Sequence, residues 1–549
     1  MTVASVRRRN VWGWGYEDQQ PDAKEMRDAA AGMRSYVGFD PCEPELPVAL
    51  EDVELPAPRI ASPQSLEGIC SGETHDRASH AYGKAYRDVI RAFRGRFENP
   101  PDMVAYPRTE QDVVELLEWC AQVGAAAIPY GGGTSVTGGV EPAVGDSYSG
   151  TVSIDLRELD QVLEVDETSR AARIQAGANG PAISQQLAQH GLGLRHFPGS
   201  FELSTLGGWI ATRSGGHFAT VYTHIDDLVE STRAVTPTGV IETRRLPGSG
   251  AGPSPDRMLI GSEGILGVIT EAWMRLHERP RFKSSASVRF ADLASATAAV
   301  RELSQSGLYP TNCRLLDPVL AGLYGAGPSA EGSPSPDGDQ VHLLMLAFES
   351  AHHPVDDWME LGLGCCRAHG GEGEAQNEAR ERRADDDGTS GSVEAWRGAF
   401  LREAYVRDVL IAAGVIPETF ETAVTWDRFD EFHQSVIETT TDAVRRVCGG
   451  GRVGWRFTHV YPDGPAPYYT ILAPAKRGSE VQQWDEIKAA ASEAIIAAGG
   501  TITHHHSVGR DHRPWYDKQR PDRFAAALGA AKRELDPDAL LNPGVLIDP

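Results

Sequence analysis

The residues best suited to holding a ligand lie in one glycine-rich stretch, Pro129–Gly139. Its three consecutive glycines, Gly131–Gly133, lack side chains and therefore let backbone N–H groups approach another molecule closely. Successive N–H groups in such a turn can point at one spot and form an anion-binding concavity, to which Thr134 and Ser135 add hydroxyl donors. The stretch predicts a cradle for a pyrophosphate, with a tight turn that binds nothing as the alternative.

A run of three histidines, His504–His506, is the second set of residues that could do chemistry. Imidazole changes its charge near neutral pH, so it can accept and donate protons, and it is also a common metal ligand. The run lies inside the chain, next to a strand pattern and before a glycine turn at Gly509, so it is not a purification tag. An acid–base cluster, a metal-binding patch and a surface tract are the alternatives.

Two arginines, Arg407 and Arg314, could hold the anionic group of a substrate. A guanidinium offers a planar fork of donors that matches a phosphate or a carboxylate. The chain carries a formal net charge of −25, so an anionic ligand needs such a local basic cluster. Arg407 could instead pair with Asp408 or Glu403 at the surface, where an ion pair contributes little. The corresponding alternative for Arg314 is a salt bridge to Asp317.

Composition and charge exclude several classes of protein. The 549 residues predict two or three domains, and the 23% charged and 41% apolar fractions are typical of a soluble globular protein. The net negative charge argues against nucleic acid as a partner. The seven cysteines include no C-x-x-C pair, which favours reduced thiols and a cytoplasmic protein. We find no secretory signal in Met1–Trp12 and no transmembrane run, while peripheral membrane contact through an amphipathic patch stays open.

The glycine stretch must be positioned by the elements around it. Thr109 is a predicted N-cap, and the apolar period after it indicates a helix that ends at Gly124. A short strand, Ala125–Pro129, leads into the glycines, and the next strands are Thr151–Leu156 and Ala172–Ala176. This order indicates an α+β fold, because the dinucleotide-binding α/β fold requires a strand, G-x-G-x-x-G and a helix in succession.

A second glycine-rich region, from Pro198 to His217, again exposes backbone that could lie against a flat or phosphorylated ligand. From about Pro280 the pattern indicates helices on an antiparallel sheet, with a Gly/Ser/Pro loop at 325–338 and a charged, exposed insertion at 370–392. The expected units are an N-terminal segment (1–100), a glycine-rich domain (101–279), a cap domain (280–500) and a C-terminal segment that returns to the site (501–549).

The N-terminal segment carries two patterns of its own. The proline-rich part from Pro41 to Pro63 predicts extended chain wrapped over another domain. The apolar period in Ser79–Phe97 predicts one amphipathic helix.

Several of these stretches together resemble a known family. The glycine stretch, Gly207–Gly208 and Gly261–Thr270 resemble the two-subdomain FAD-binding fold of the vanillyl-alcohol oxidase (PCMH) type, here with an antiparallel α+β cap domain. The tail Leu535–Gly544 is similar to that of the D-2-hydroxy-acid dehydrogenase and glycolate oxidase branch. More specific stretches resemble the alkyldihydroxyacetonephosphate (alkylglycerone-phosphate) synthases: Trp12–Tyr16, His196–Gly208, Tyr405–Asp408, Phe420–Thr422, Trp426–Arg428 and His504–His506.

The resemblance implies an enzyme with non-covalent FAD, since Tyr130–Gly139 has no histidine or cysteine of the kind that attaches the cofactor in some relatives. Such synthases replace the acyl group of acyl-dihydroxyacetone phosphate by a fatty alcohol in ether-lipid synthesis, through an adduct on flavin N5 and without net redox change. A phosphorylated or carboxylate lipid substrate and a homodimer are implied as well. The alternatives are an FAD-dependent D-2-hydroxy-acid dehydrogenase or oxidase, of the lactate or glycolate type, and a non-catalytic flavin-binding protein.

The resemblance also implies roles for the histidines. His504, His505 and His506 would form an acid–base cluster in which His506 shuttles the proton. No metal is implied, because His505 stands where the hydroxy-acid dehydrogenases have a metal-binding glutamate. The stretch around His459 likewise lacks the second histidine of the dehydrogenase metal motif.

Other residues are assigned by the same resemblance. Tyr469 matches a tyrosine that assists proton transfer, and because neighbours on a strand face opposite ways, either Tyr469 or Tyr468 reaches the site, but not both. Arg407 and Arg314 match arginines near the substrate. The residues expected to bind FAD are Pro129, Gly131, Gly132, Gly133, Thr134, Ser135, Gly138, His196, Pro198, Ser200, Thr205, Gly207, Gly208, Thr212, Ser214, Glu263, Gly264, Gly267 and Ile269.

Overall fold

The computed structural model describes residues 7–323, 341–376 and 404–548. The loop expected at 325–338 and the larger part of the insertion expected at 370–392 lie outside these residues. None of the helices in the described ranges is long and apolar enough to cross a membrane.

The strands of the described ranges form four sheets. In chain order they are β1 (Cys70–Ser71), β2 (Met103–Ala105), β3 (Ala126–Tyr130), β4 (Thr151–Asp155), β5 (Val162–Asp166), β6 (Ala171–Gln175), β7 (Leu192–Gly193), β8 (Val229–Thr236), β9 (Gly239–Glu242), β10 (Val268–Arg275), β11 (His277–Glu278), β12 (Phe282–Phe290), β13 (Asn312–Leu316), β14 (His342–Ser350), β15 (Ala375–Gln376), β16 (Val415–Glu421), β17 (Arg452–Val460) and β18 (Pro465–Pro474).

The α-helices cover the faces and ends of these sheets. They are α1 (Ala23–Gly32), α2 (Arg34–Val37), α3 (Thr74–Ser79), α4 (Tyr86–Phe93), α5 (Glu110–Val123), α6 (Gly180–Leu187), α7 (Leu206–Thr212), α8 (Asp256–Leu259), α9 (Leu293–Gln305), α10 (Pro318–Leu323), α11 (Asp356–Ala368), α12 (404–412), α13 (Phe429–Cys448), α14 (Glu480–Ala497), α15 (Arg513–Gln519) and α16 (Asp522–Leu535).

Two sheets in the first half of the chain share one hydrophobic core. The smaller has the order β1-β2-β4-β3, in which β2, β4 and β3 run parallel and β1 is antiparallel. The larger is antiparallel, with the order β5-β6-β10-β8-β9. Leu116 of α5 and Leu206 of α7 are buried in the core that both sheets share. This is the α+β arrangement that the order of motifs predicted.

The helix before the glycine stretch follows the sequence prediction closely. Thr109 caps α5, because its hydroxyl accepts the N–H of Asp112 at 3.1 Å. The helix ends where Gly124 takes a φ of 70°, which residues with a Cβ rarely adopt. Strand β3 then runs through the buried core and ends directly before Gly131.

The second half of the chain forms one seven-stranded sheet with the order β15-β12-β14-β13-β17-β18-β16. All its pairings are antiparallel, and α9, α11, α13 and α14 cover it. Because side chains alternate along a strand, Leu315 and Leu344 face the core under these helices, whereas Leu316 and Leu343 face the other side of the sheet and pack on α10. The predicted strand Asn312–Leu316 has the bounds of β13.

The single helix predicted over Ser79–Phe97 is wrong. Two helices, α3 and α4, are present, and residues 80–85 between them are not helical. The break lies where Gly83 packs on the glycine stretch: a Cβ on Gly83 would meet the carbonyl oxygen of Ser135. An uninterrupted helix would carry side chains into that contact, so tertiary packing overrides the apolar period.

Both ends of the chain return to the centre of the molecule. The proline-rich segment runs extended along the cap half, where Cys42 N–H donates to Ala413 O at 2.9 Å. At the other end, Arg510 N–H donates to Thr137 O at 2.9 Å, beside the glycine stretch. Cys42 and Glu45 of the segment predicted to wrap are thus hydrogen-bonded to the backbone of the cap half at Ala413 and Ala412.

Candidate active site

A cavity lies between the glycine stretch, the second glycine-rich region and the cap sheet, and we call it the central cavity. Gly131–Ser135 and Gly208–Gly216 supply parts of one wall. Strands β13, β17 and β18 supply Arg314, Arg456 and Tyr468 on the opposite wall. The cavity is therefore closed by residues that are more than 300 positions apart in the chain.

The glycine stretch has the shape of a ligand cradle. A Cβ on Gly131 would collide with the Thr205 hydroxyl, and a Cβ on Gly132 would collide with the backbone at Leu203. Gly133 has a φ of 65°. The Thr205 hydroxyl is buried and has no hydrogen-bond partner within the described ranges, although it borders the cavity. An orphaned donor beside bare backbone fits a phosphate-bearing ligand.

The other residues expected to bind FAD divide into two groups. Those that line the central cavity with the glycine stretch are Pro198, Ser200, Thr205, Gly208, Thr212 and Ser214. Those that do not line it in the described structure are Pro129, Gly138, His196, Gly207, Glu263, Gly264, Gly267 and Ile269. For this second group, a direct contact with the cofactor stays a prediction.

Packing explains why members of the second group lie behind the wall. Gly207 is pressed against Ala176, and a Cβ there would lie 2.8 Å from the Ala176 Cβ. His196 is buried behind Ser214, with its Nε2 3.3 Å from the Ser214 Oγ. Burial lowers the pKa of His196 to about 3, so its ring is neutral at physiological pH.

Two of the three predicted histidines reach the cavity. His505 and His506 line it, each partly exposed. His504 turns away: its Nε2 lies 2.7 Å from the Tyr461 hydroxyl, and its ring centroid lies 4.4 Å from that of His224. Two of the three side chains therefore line the cavity, and the third packs against Tyr461 and His224.

A buried carboxylate holds the histidine run in place. Glu421, at the end of β16, accepts backbone N–H groups from His504 at 2.5 Å, His505 at 3.1 Å and His506 at 2.9 Å. Burial alone would raise the pKa of Glu421, but its interactions with the histidine run, together with the hydrogen bond from the Thr503 hydroxyl, hold that pKa well below its ordinary value. The carboxylate stays ionised and fixes the backbone that carries the three rings.

The imidazoles themselves are neutral. Burial lowers the pKa of His506 to about 3 and also lowers that of His505, and the charge of Glu421 opposes both shifts only in part. A neutral imidazole can accept a proton from a ligand. Ring nitrogens of His459, His504 and His505 also lie within 4.8 Å of one another, so these three residues could hold a divalent metal without a carboxylate.

The choice of Tyr469 for the cavity is wrong, and Tyr468 takes its place. Tyr469 is fully buried in the cap core, where its hydroxyl lies 3.0 Å from His433 Nδ1 and its ring stacks on Phe420. Tyr468 lines the central cavity instead, with the Arg456 guanidinium 4.5 Å from its ring centroid. The register of β18 against β17 pairs Tyr468 with Arg456 and thereby decides which tyrosine faces the ligand.

Both predicted arginines line the cavity. Arg314 also donates to His217 O at 3.0 Å. The carboxylate of Asp408 accepts the N–H of Trp14 at 2.6 Å. The surface ion pair between Arg407 and Asp408 is therefore not what the structure contains, since Arg407 faces the cavity and Asp408 is 4% exposed.

Comparison with known proteins places this geometry in a family. The model of the FAD binding domain matches residues 101–244, and that of the C-terminal domain of FAD linked oxidases matches residues 279–546. The alkyldihydroxyacetonephosphate synthase of Caenorhabditis elegans is 30% identical over 571 residues, covering 98% of this chain and 94% of that relative. The chain belongs to the alkyldihydroxyacetonephosphate synthase family.

Further comparisons agree with this family membership. The alkyldihydroxyacetonephosphate synthase of Dictyostelium discoideum is 30% identical and covers 86% of this chain and 77% of that relative. A solved alkyldihydroxyacetonephosphate synthase structure matches with a TM-score of 0.77 at 25% identity, over 97% of this chain and 98% of that one. A probable mitochondrial D-lactate dehydrogenase of Danio rerio is more distant, at 25% identity over 81% of this chain and 89% of its own.

Membership of the alkyldihydroxyacetonephosphate synthase family settles the cofactor and the fold type. This family member is an FAD-dependent enzyme, and its fold is the two-subdomain FAD-binding type with an antiparallel cap. The bare glycines and the orphaned Thr205 hydroxyl are the features of its cavity that fit a pyrophosphate.

Sequence reasoning missed four polar residues at the site of this synthase-family chain. They are Lys84, Glu421 (as the anchor of the histidines), Arg456 and His459. Arg456 and Thr458 lie two apart on β17, so alternation along a recognised strand could have found them. His459 reaches the cavity because the register of β17 shifts between Phe457 and His459, which no sequence pattern announces. Lys84 carries no local signal, since it lies in the break between two helices.

Proposed function

We propose that this protein exchanges the acyl group of an acyl-dihydroxyacetone phosphate for a long-chain alcohol, the reaction named for its family. The observation that carries the proposal is the composition of one cavity: a phosphate cradle, two arginines and two neutral histidines border the same space.

When bound, FAD would supply an electron-poor ring that can serve as an electron sink beside the substrate. Gly131–Ser135 would bind its pyrophosphate, and the cofactor would stay non-covalent because no histidine or cysteine lies in that stretch. Acid precipitation should therefore release intact, yellow FAD into the supernatant. FAD that stays with the precipitated protein would contradict non-covalent binding.

Arg407 and Arg314 would hold the phosphate of the substrate through charge-assisted hydrogen bonds. At the substrate carbon, the bond to the acyl oxygen breaks and a fatty carboxylate leaves with the electron pair. The alcohol oxygen then forms a bond to the same carbon, so no electrons are gained or lost overall.

The alcohol must lose its proton when its oxygen bonds to carbon. His506 or His505 would accept that proton, because both imidazoles are neutral before the reaction and face the cavity. Tyr468 is placed to assist, since its ring centroid lies 5.4 Å from that of His506. The role first given to Tyr469 thus passes to its neighbour.

We propose that the histidines serve proton transfer rather than metal binding. The three rings that could share an ion include no carboxylate to offset its charge. Removing divalent metals with EDTA should leave the turnover rate unchanged, and loss of activity that zinc restores would overturn this part of the proposal.

Anaerobic mixing of the holoenzyme with acyl-dihydroxyacetone phosphate and a fatty alcohol tests the main proposal. We expect fatty acid release and ether product in equal amounts, while the flavin absorbance returns to its starting value. Full bleaching by lactate or glycolate, with no response to acyl-dihydroxyacetone phosphate, would instead favour the hydroxy-acid dehydrogenase. No response to either would favour a non-catalytic flavin protein.

We further propose a homodimer in the cytoplasm that contacts membranes only at its surface, as the long apolar substrates require. No helix of the described ranges could span a bilayer. Light scattering after size exclusion should give twice the chain mass of 59.3 kDa. Sedimentation with and without phospholipid vesicles tests the membrane contact.

A further inference from the structure

The break between α3 and α4 brings a lysine to the glycine stretch. Lys84 N–H donates to Ser135 O at 2.6 Å, and a Cβ on Gly83 would lie 3.2 Å from the Ser135 Cβ. These contacts fix the backbone of residue 84 against the cradle. The position of its side chain thus follows from packing and not from a flexible loop.

The Lys84 side chain borders the central cavity together with the glycine stretch and Arg407. Within the described ranges, no hydrogen bond or ion pair ends on its Nζ. The charged groups around it are Asp408, Arg9, Asp88 and Arg407.

The two carboxylates near Lys84 are already engaged. Asp408 accepts the N–H of Trp14, and Asp88 is paired with Arg91 at 2.7 Å. Burial lowers the pKa of the Lys84 ammonium to about 8, because the protein replaces part of its water. Lys84 is half-buried at the cavity and its ammonium has lost part of its water, so an anion in the cavity would offset that loss.

A second cation reaches the same stretch from the N-terminal segment. The Arg9 guanidinium donates to the carbonyl oxygen of Gly132. The Lys84 backbone and the Arg9 guanidinium thus contact the glycine stretch at Ser135 and Gly132. In a chain with a net charge of −25, two local cations are needed to offset the two charges of that group.

We propose that Lys84, supported by Arg9, is a phosphate-binding residue for the pyrophosphate of FAD. The Lys84 Nζ donates to a pyrophosphate oxygen, while Arg407 remains with the substrate. The inference concerns cofactor affinity alone, so it holds or fails independently of the reaction that the flavin performs.

The test measures FAD binding to apoprotein by the quenching of flavin fluorescence, without substrate. Lys84→Met keeps the length of the side chain and removes the charge, so the dissociation constant of FAD should rise about 10- to 100-fold. Lys84→Arg keeps the charge and should stay within about threefold of the parent. Arg9→Met should weaken binding less, and Arg8→Met, an exposed neighbour near Glu17, should have no effect.

The pH dependence of FAD affinity separates the two roles, because a lysine with a purely structural role would not change it. The ammonium is charged below its pKa of about 8, so FAD affinity should fall as the pH rises through that value. In Lys84→Arg the fall should be absent, because the guanidinium stays charged. This measurement needs only the parent and the arginine variant, and it decides the matter even if Lys84→Met does not fold.

Unchanged FAD affinity in a folded Lys84→Met, shown by an apoprotein melting temperature equal to that of the parent, would overturn the proposal. Unchanged FAD affinity with a raised KM for acyl-dihydroxyacetone phosphate would also overturn it and would assign Lys84 to the substrate phosphate. An inactive parent with normal FAD titrations would overturn the proposed function only.

Discussion

The two walls of the central cavity are built on different principles. The wall from the first half of the chain presents backbone: bare glycines, hydroxyls and short turns from Gly131–Ser135 and Gly208–Gly216. The wall from the cap half presents long charged or aromatic side chains on sheet strands, such as Arg314, Arg456 and Tyr468. The first wall therefore leaves room for a ligand close to its backbone, whereas the second wall places side-chain functional groups in the cavity.

This difference predicts opposite responses to substitution. Adding one carbon to the backbone wall should remove the cofactor, whereas truncating a side chain on the cap wall should spare the cofactor and change the reaction. The following variants test that contrast, beginning with the largest expected effect.

Gly132→Ala should abolish FAD binding, with at least about a 100-fold loss of affinity. The new Cβ would overlap the backbone at Leu203 and Ser204, which cannot move aside as a flexible side chain could. Gly250→Ala is the matched control, because nothing lies within 4 Å of a Cβ there. Yellow, flavin-replete Gly132→Ala protein would show that the backbone wall is less tight than the contacts indicate.

Arg407→Ala should raise the KM for the anionic substrate about 10- to 100-fold while FAD remains bound. The charge-assisted bonds to the substrate phosphate are lost, but no contact with the cradle changes. Arg446→Ala, an exposed arginine of α13 paired with Glu486, serves as the control. If Arg407→Ala loses its flavin, the arginine belongs to the cofactor and the contrast between the walls fails.

Glu421→Gln should lower kcat about tenfold, because the backbone of the histidine run loses its charged acceptor. The charge of Glu421 raises the pKa values of His505 and His506, so any acid limb of the pH–rate profile should move to lower pH in the variant. A limb that moves to higher pH would contradict the electrostatic coupling.

The same variant also tests stability. The pKa of Glu421 is depressed by folding, so its contribution of about 2 kcal/mol should be fully present above the ordinary glutamate pKa of about 4.3. That contribution is lost as the pH falls through the folded-state pKa. The difference in urea midpoint between the parent and Glu421→Gln should therefore shrink on acidification.

The two adjacent tyrosines give the smallest and sharpest test. Tyr468→Phe should lower kcat about three- to tenfold, since Tyr468 lines the cavity beside His506. Tyr469→Phe should leave kcat unchanged and cost about 1 kcal/mol of stability, because it loses the hydrogen bond to His433. The reverse result would mean that the register of β18 is shifted by one residue.

What the sequence could predict follows the same division. The backbone wall was largely predictable, because glycines, N-caps and turns carry their structural meaning locally: Thr109, Gly124 and the glycine stretch all behave as expected. The bounds of β13 were also predictable, since a short apolar run between turn signals is a strong strand pattern.

The cap wall was less predictable, because the direction of its side chains depends on strand pairing and on contacts with residues far away in the sequence. Which of Tyr468 and Tyr469 reaches the ligand is decided by pairing with β16 and β17, far away in the sequence. His504 points away from the cavity because it bonds to the Tyr461 hydroxyl and packs against the His224 ring. Lys84 enters the site only because Gly83 packs on Ser135, a contact that also broke the predicted helix. None of these long-range contacts can be predicted from the local pattern of residues.

The N-terminal segment has a consequence for how the protein is made. Trp14 is fastened to Asp408 by a hydrogen bond that spans 394 positions, and Thr137 is bonded to the backbone near residue 510. Contacts of such high sequence separation form late, because a long loop must close before they stabilise anything. During synthesis, Trp14 therefore cannot form this contact until the 394 residues that follow it, up to Asp408, have been made. Because His505 and His506 line the cavity, a nascent chain should gain its cofactor only after these residues have been made and folded into place.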